Sequence, residues 1–97
     1  MLFRSNKYGE IKKRVNASFV FYTYILKSFK DDKLYVGWTD NLKHRVANHK
    51  KGLVISTRNR LPLELIYYEA CKDKKKAMIR EKYFKTGFGR KFLKNRI

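Results

Sequence analysis

Apolar and polar positions early in the chain follow a pattern that predicts two β-strands. Residues 19–26 and 33–39 are rich in aromatic and β-branched side chains, and the turn-prone pair Asp31 and Asp32 lies between them. The first run is much shorter than the roughly 20 apolar residues that span a membrane. The pattern therefore predicts a β-hairpin and no membrane span.

Further along the chain, apolar residues recur at helical spacing, with one more strand between the helices. This spacing predicts helices over residues 41–50, 74–86 and 89–96 and a strand over residues 63–70. We expect Thr39 or Asp40 to cap the first helix. Asp73 is expected to cap the second helix, and Gly87 to end it. The order β-β-α-β-α-α predicts an α/β (α+β) fold, with a three-stranded, mostly antiparallel sheet flanked by helices.

Two tyrosines and a glycine share one face of the predicted hairpin. Period-two alternation and the loop length make Tyr24 and Tyr35 direct or diagonal neighbours on this face, and Gly37 lies on it as well. Such tyrosines also fit ordinary packing residues with a hydroxyl at the wet edge. A glycine weakens a strand unless some group must approach its backbone closely.

Three polar residues occupy positions where helical spacing predicts an apolar side chain. Arg45 and His49 lie on the stripe of the first helix that faces the sheet, and Glu81 lies on that of the second. The apolar members of the two stripes are Leu42, Val46, Ala77, Phe84 and Phe88. Either the charged groups form satisfied ion pairs, such as Glu81 with Lys85, or they belong to a site.

Net charge indicates the class of partner. The 97-residue chain carries 25 Lys and Arg against 8 Asp and Glu, a formal charge of +17, which favours an anionic partner and nucleic acid above all. With 43% hydrophobic residues, the chain has enough apolar material for one domain. We expect residues 19–97 to form it. Residues 1–18 form either a basic arm that contacts phosphate or an incidental extension.

The supply of cysteine and histidine limits redox and metal chemistry. Cys71 is the single cysteine and forms no internal disulfide, which favours a reducing compartment, the cytoplasm by default. A structural zinc site needs four Cys or His ligands, and only His44 and His49 accompany the cysteine. Zinc is therefore not expected.

Cations after the first helix and near the C-terminus are candidate phosphate contacts. The candidate nucleic-acid-binding residues are Lys50, Lys51, Thr57, Arg58, Arg60, Arg90, Lys91 and Lys94. The alternative is a solvated basic surface without a specific role. No helix stands out as a reader of base edges, so the pattern predicts no sequence preference.

The order and spacing of several motifs resemble one family. The motifs are Tyr22-Thr23-Tyr24, Tyr35-Val36-Gly37, Arg45 and His49 within LKHRVANH, the loop STRNRLP, and Glu81 within REKYFKTGFGRKFLKN. They resemble the GIY-YIG nuclease domain, and more narrowly its small stand-alone bacterial members, which are similar to the N-terminal endonuclease part of the bacterial excinuclease. The resemblance covers residues 19–96. The chain departs from the family pattern at Tyr22 and Thr23, where the name-giving Gly and Ile are absent.

The resemblance implies a role for each matching residue. It implies Tyr24, Tyr35, Arg45 and His49 as catalytic residues, Glu81 as the ligand of one Mg²⁺ or Mn²⁺ ion, and Gly37 and Asn95 as structural members of the motifs. Tyr24 would take a proton from water, provided that nearby positive charge lowers its pKa from about 10. Arg45 would hold the scissile phosphate through its fork of donors.

The implied function is that of a metal-dependent endonuclease that hydrolyses phosphodiester bonds in DNA, including structured or damaged DNA in repair or recombination. Two alternatives stay open: a non-catalytic nucleic-acid-binding module on the same fold, and an RNA-directed nuclease. No membrane partner is expected. A monomer is the default oligomeric state.

Overall fold

Antiparallel pairing joins three strands into one sheet, and helices cover both of its faces. The computed structural model describes residues 19–97, so the expected basic arm over residues 1–18 lies outside the described residues. The elements are β1 (Phe21–Ser28), β2 (Leu34–Thr39), α1 (Leu42–Lys50), a 3-10 turn (Arg58–Arg60), β3 (Leu63–Cys71), α2 (Lys74–Phe84) and α3 (Gly87–Lys94). The strand order is β2-β1-β3, with antiparallel neighbours. The predicted fold class and element order are confirmed.

Alternation along the central strand builds a separate core on each face of the sheet. Tyr24 and Leu26 point to one face, where Val46 of α1 packs against them. Ile25 points to the opposite face, where it packs with Phe84 of α2. Among residues 19–97, none of the helices has the length and apolar character needed to cross a bilayer. The helices pack on the two faces of the sheet.

The helix caps follow the sequence pattern with one shift. Asn41, in place of Thr39 or Asp40, caps α1, because its side-chain oxygen accepts a hydrogen bond from the backbone N–H of His44 at 3.2 Å. Asp73 caps α2 as predicted. The prediction for the first cap is therefore wrong by one residue, which is a typical margin at helix ends.

The chain turns into a new helix earlier than predicted. Helix α2 ends at Phe84, and Gly87 begins α3 instead of ending α2. The Thr86 hydroxyl oxygen caps this new helix by accepting a hydrogen bond from the Gly89 N–H at 3.2 Å. Phe88 thus lies on a different helix axis and is 82% exposed. Its predicted place on the inner stripe of the second helix is wrong.

Helix α3 lies so close to the end of α2 that Gly89 has no room for a side chain. A Cβ atom at Gly89 would overlap the backbone carbonyl oxygen of Tyr83 and lie 2.6 Å from the Cα of Phe84. A Cβ atom at Gly87 would meet nothing within 4 Å. This backbone contact lets Leu93 of α3 reach the core, where it is 1% exposed.

We predict that Gly89→Ala destabilises the fold by about 1–3 kcal/mol, because the backbone must move to admit the methyl group. Gly87→Ala is expected to be neutral or slightly stabilising, since the methyl group has space and alanine restricts the unfolded chain. Urea unfolding of both variants measures the difference. Equal stabilities would contradict the close contact between α2 and α3.

Candidate active site

The hairpin register brings Tyr24 and Tyr35 together and explains Gly37. Tyr24 pairs with Gly37, and Tyr35 pairs with Leu26, so the two tyrosines are diagonal neighbours whose ring centroids lie 6.4 Å apart. A Cβ atom at Gly37 would lie 2.5 Å from the Tyr24 hydroxyl oxygen. The Tyr24 ring therefore lies directly over the Gly37 backbone. The close approach that the glycine suggested is confirmed.

The Tyr24 hydroxyl is the centre of a chain of side-chain hydrogen bonds. Its oxygen lies 2.9 Å from Nε2 of His49, and Nδ1 of His49 lies 2.8 Å from the hydroxyl oxygen of Thr57. Arg45 donates from Nε to the Tyr24 oxygen at 3.4 Å. Arg45 and His49 are four residues apart on α1, so both face the sheet. The structure thus joins β1, α1 and the following loop through polar groups.

Burial keeps His49 uncharged. Tyr24, His49 and Thr57 are each 0% exposed. Burial, and then the positive charge of Arg45, lower the pKa of His49 to about 4. The ring is therefore neutral at physiological pH, with one nitrogen acting as donor and the other as acceptor. It bridges the hydroxyls of Tyr24 and Thr57 without adding a charge to the site.

Burial also raises the pKa of Tyr24 above its ordinary value of 10.0. The hydrogen bond from Arg45 opposes this effect, while the charges of Tyr35 and Glu81 add to it. The condition stated for a basic Tyr24, a pKa lowered by nearby cations, is therefore not met in the free protein. The physical reason is that desolvation of the phenolate outweighs one hydrogen bond from a guanidinium.

Arg45 is the cation of this cluster. Its hydrogen bond with Tyr24 is the main cause that raises its pKa, and Tyr35 contributes as well. Tyr35 lies beside it, with its ring centroid 5.1 Å from that of His49 and its hydroxyl oxygen accepting a hydrogen bond from Ser56 at 3.4 Å. Both Arg45 and Tyr35 are half-buried, so they keep access to a ligand from solvent.

Glu81 of α2 lies within electrostatic range of the Tyr24 hydroxyl. Its side chain is 19% exposed and accepts a hydrogen bond from Nζ of Lys85 at 2.7 Å. Its negative charge is one of the causes that raise the pKa of Tyr24, so the carboxylate lies within electrostatic range of that hydroxyl. Glu81 and Lys85 thus form the ion pair considered as an alternative. The same carboxylate also acts on Tyr24 through its charge.

The acid content of the site limits the metals that fit it. Within residues 19–97, no three His, Cys, Asp or Glu side chains come together as a metal-binding group. A cation at Glu81 would take its remaining ligands from water and substrate. Mg²⁺ accepts one carboxylate, several waters and a phosphate, and it rarely occupies a cage made only of protein groups. The residues present therefore fit one hydrated hard cation.

Two of the predicted nucleic-acid contacts already bind other side chains of the protein. Thr57 has no exposed surface and bonds His49, so its prediction as a contact is wrong. Arg60 donates to Asp31 at 2.8 Å, and this bond holds the pKa of Asp31 at about 2. The pair ties the loop after α1 to the hairpin turn. No sequence signal separates buried Thr57 from its exposed polar neighbours.

The other candidate cations lie on the surface in two groups. Lys50, Lys51 and Arg58 are exposed around the end of α1, and Arg90, Lys91 and Lys94 are exposed along α3. Asn95 caps the C-terminus of α3, where its backbone N–H donates to the carbonyl oxygen of Phe92 at 3.3 Å.

Comparison with known proteins identifies the family. The sequence model of the GIY-YIG catalytic domain matches residues 20–95. This chain belongs to the GIY-YIG family. The departures at Tyr22 and Thr23 therefore do not remove the chain from the family, and the motif tyrosines Tyr24 and Tyr35 lie in the cluster described above.

Several relatives of this GIY-YIG protein share the UPF0213 name. It is similar to UPF0213 protein CPE1444 of Clostridium perfringens, with 46% identity over 65 residues that cover 66% of this chain and 69% of the relative. It is 45% identical to UPF0213 protein SpyM50708 of Streptococcus pyogenes, over 66% and 70% of the two chains. The solution structure of UPF0213 protein BH0048 from Bacillus halodurans matches with a TM-score of 0.50 and 30% identity, over 78% of this chain and 83% of that chain.

We predict that His49 makes stability depend on pH between about 6.5 and 4, the pKa values of the unfolded and folded histidine. In this window the unfolded chain binds the proton and the folded chain does not, so unfolding becomes easier as the pH falls. Urea unfolding across this range is the measurement.

Glutamine variants of the two histidines isolate this effect from the titration of carboxylates. His49→Gln is expected to lose part of the pH dependence in addition to stability. His44→Gln changes an exposed residue of the same helix and is expected to keep the parental slope. If both variants kept that slope, the neutral, buried state of His49 would be refuted.

Proposed function

We propose that this GIY-YIG protein is a metal-dependent endonuclease that hydrolyses phosphodiester bonds in DNA. The observation that carries the proposal is one cluster in which Arg45 donates to Tyr24, Tyr35 lies alongside, and the charge of Glu81 acts on the same hydroxyl. Phosphodiester hydrolysis needs a cation for the phosphate, a group that accepts a proton from water, and an acid that holds a metal. The cluster supplies all three kinds of group.

Arg45 is the proposed phosphate clamp. Its Nε is oriented by Tyr24, and the terminal nitrogens of the guanidinium are the proposed donors to phosphate oxygens. An arginine held in this way loses little further side-chain entropy when substrate binds. His49 and Thr57 act through Tyr24, because they fix the hydroxyl that orients the guanidinium. We therefore assign them to positioning.

Glu81 is the proposed ligand of one Mg²⁺ or Mn²⁺ ion. When bound, such an ion supplies Lewis-acid stabilisation of the charge that develops on the phosphate and the leaving group. Lys85 already neutralises part of the carboxylate charge. The Glu81 side chain keeps 19% of its surface exposed to solvent.

Tyr24 is the proposed base, with Tyr35 as its competitor. The charge of Glu81 raises the pKa of Tyr24, so neutralisation of that charge favours the phenolate, as does the hydrogen bond from Arg45. Tyr35 has the better access to solvent, since it is half-buried while Tyr24 is fully buried. Substitution of each hydroxyl separately distinguishes the two.

The full burial of Tyr24 is also the observation that favours the main alternative, a non-catalytic module that binds nucleic acid. In that case the hydrogen-bond chain would serve only to stabilise the fold. An RNA-directed nuclease is the third candidate, because the net charge of +17 attracts either nucleic acid. We place the protein in the cytoplasm, in keeping with its single cysteine.

We predict that Glu81→Gln abolishes metal-dependent cleavage and weakens Mn²⁺ binding while it leaves affinity for DNA intact, because it removes a carboxylate and no phosphate contact. Cleavage of single-stranded, duplex, flap and branched DNAs and matched RNAs, with Mg²⁺ or chelator, tests activity. Calorimetry tests Mn²⁺ binding. Glu64→Gln, an exposed glutamate on β3, is the control with the same charge change. Parental cleavage by Glu81→Gln would refute the metal assignment.

We predict that Tyr24→Phe lowers turnover at saturating DNA by about 10²–10⁴-fold, the usual value of general-base assistance, with a much smaller effect on binding. The ring and its packing over Gly37 are retained in this variant. Tyr35→Phe is expected to cost less. If Tyr35→Phe lost turnover and Tyr24→Phe kept it, the base would be Tyr35. Normal turnover in both would show that this face does not carry the reaction.

A further inference from the structure

An open groove lies beside β2, between the end of the hairpin turn and α3. Its volume is about 1280 Å³, which exceeds the roughly 300–1,000 Å³ typical of small-molecule pockets. Five cationic side chains line it: Lys33, Lys85, Arg90, Lys91 and Lys94. Leu34 and Val36 add an apolar part to the lining. Its size and lining suit an extended anion with apolar groups.

The cations of this groove are poorly neutralised by the protein. In the part of the chain that the structure describes, Lys33, Arg90, Lys91 and Lys94 form no ion pair. Asp32 is the one acid in the lining, and Lys27 already pairs with it at 3.2 Å. Unpaired like charges along one groove repel each other unless an anion binds between them.

Helix α3 presents its cations as a rigid row. Arg90 and Lys94 are one turn apart, about 6 Å along the axis, and Lys91 lies between them in sequence. The opposite side of the helix is fixed, because Gly89 contacts the α2 backbone and Leu93 is buried in the core. The row therefore stays in place whether or not a ligand is bound.

Two residues connect the groove to the proposed active site. Tyr35 lines the groove and also contacts the ring of His49. Lys85 lines it as well and pairs with Glu81. A chain that follows the cations toward β2 therefore arrives at the tyrosine and the carboxylate of the candidate site.

We propose that this groove binds one strand of nucleic acid, with successive phosphates on the cations of α3, and guides it to Arg45 and Glu81. A single strand presents both phosphates and base faces, which match the cations and the apolar lining, whereas a duplex hides its base faces. The part of the inference that delivers the strand to Arg45 and Glu81 for cleavage rests on the proposed function. Binding of the strand does not depend on that function, since it follows from the charge and shape of the groove.

The test compares two triple variants of the full chain with the same loss of charge. One is Arg90→Gln, Lys91→Gln and Lys94→Gln in the groove. The other is Lys75→Gln, Lys76→Gln and Lys82→Gln, three exposed residues of α2 outside the groove. Fluorescence anisotropy with labelled oligothymidylate and oligouridylate, in chelator and across a salt series, measures affinity without cleavage.

We predict that the groove triple loses about 10- to 100-fold in affinity at about 0.1 M salt and that its log–log salt slope falls by about 2, because three phosphate contacts disappear. The α2 triple is expected to lose less than about 3-fold. Equal losses of affinity in the two triple variants, or no loss in either, would overturn the proposal that the groove binds the strand. A stronger effect on one oligonucleotide identifies DNA or RNA as the preferred strand.

A duplex control and a second set of substitutions distinguish the remaining outcomes. If a blunt duplex showed the same dependence on the groove residues, the assignment of a single strand would be wrong. Lys33→Gln with Lys85→Gln tests the opposite wall, in case circular dichroism shows that the α3 triple is unfolded. If the groove bound nucleic acid but the protein cleaved no substrate, only the proposed nuclease activity would be refuted. If the parental protein cleaved a substrate but the two triple variants bound the oligonucleotides equally well, only the groove proposal would be refuted.

Discussion

The hydroxyl of Tyr24 is the point on which the rest of the site depends. It is fully buried, so it must find hydrogen-bond partners inside the protein, and His49 and Arg45 provide them. The ring reaches them only because residue 37 is a glycine, since a Cβ atom there would overlap the hydroxyl. The absence of a side chain at Gly37 of β2 thus allows Tyr24 to meet Arg45 and His49 of α1.

The same network explains why a loop can be part of the site. Thr57 lies on the segment after α1, and its bond to His49 fixes that segment against the helix. The pair of Arg60 with Asp31 fixes its far end against the hairpin turn. A buried polar group left without a partner costs about 1–3 kcal/mol, so loss of a polar group from the buried chain of Tyr24, His49 and Thr57 destabilises its neighbours as well. Position and stability are coupled throughout this region.

The opposite face of the sheet contributes charge through backbone packing. Close contact at Gly89 fixes α3 against α2 and turns a row of cations toward β2. Lys85, at the junction of the two helices, pairs with Glu81 and also lines this groove. The carboxylate of the candidate metal site and the proposed path of the strand are therefore set by the same helix junction. The proposed strand path and the proposed metal site would thus share one structural origin.

Local periodicity in the sequence determined the fold class and the faces of Tyr24, Tyr35, Arg45 and Glu81, because alternation in strands and helical spacing are properties of neighbouring residues. The net charge of +17 predicted an anionic partner. Tertiary structure alone decided that Thr57 is buried and that the pKa of Tyr24 is raised, since burial depends on which distant segments pack together. A sequence pattern records which side of an element a residue occupies, and only the packed fold decides what solvent and charge it meets there.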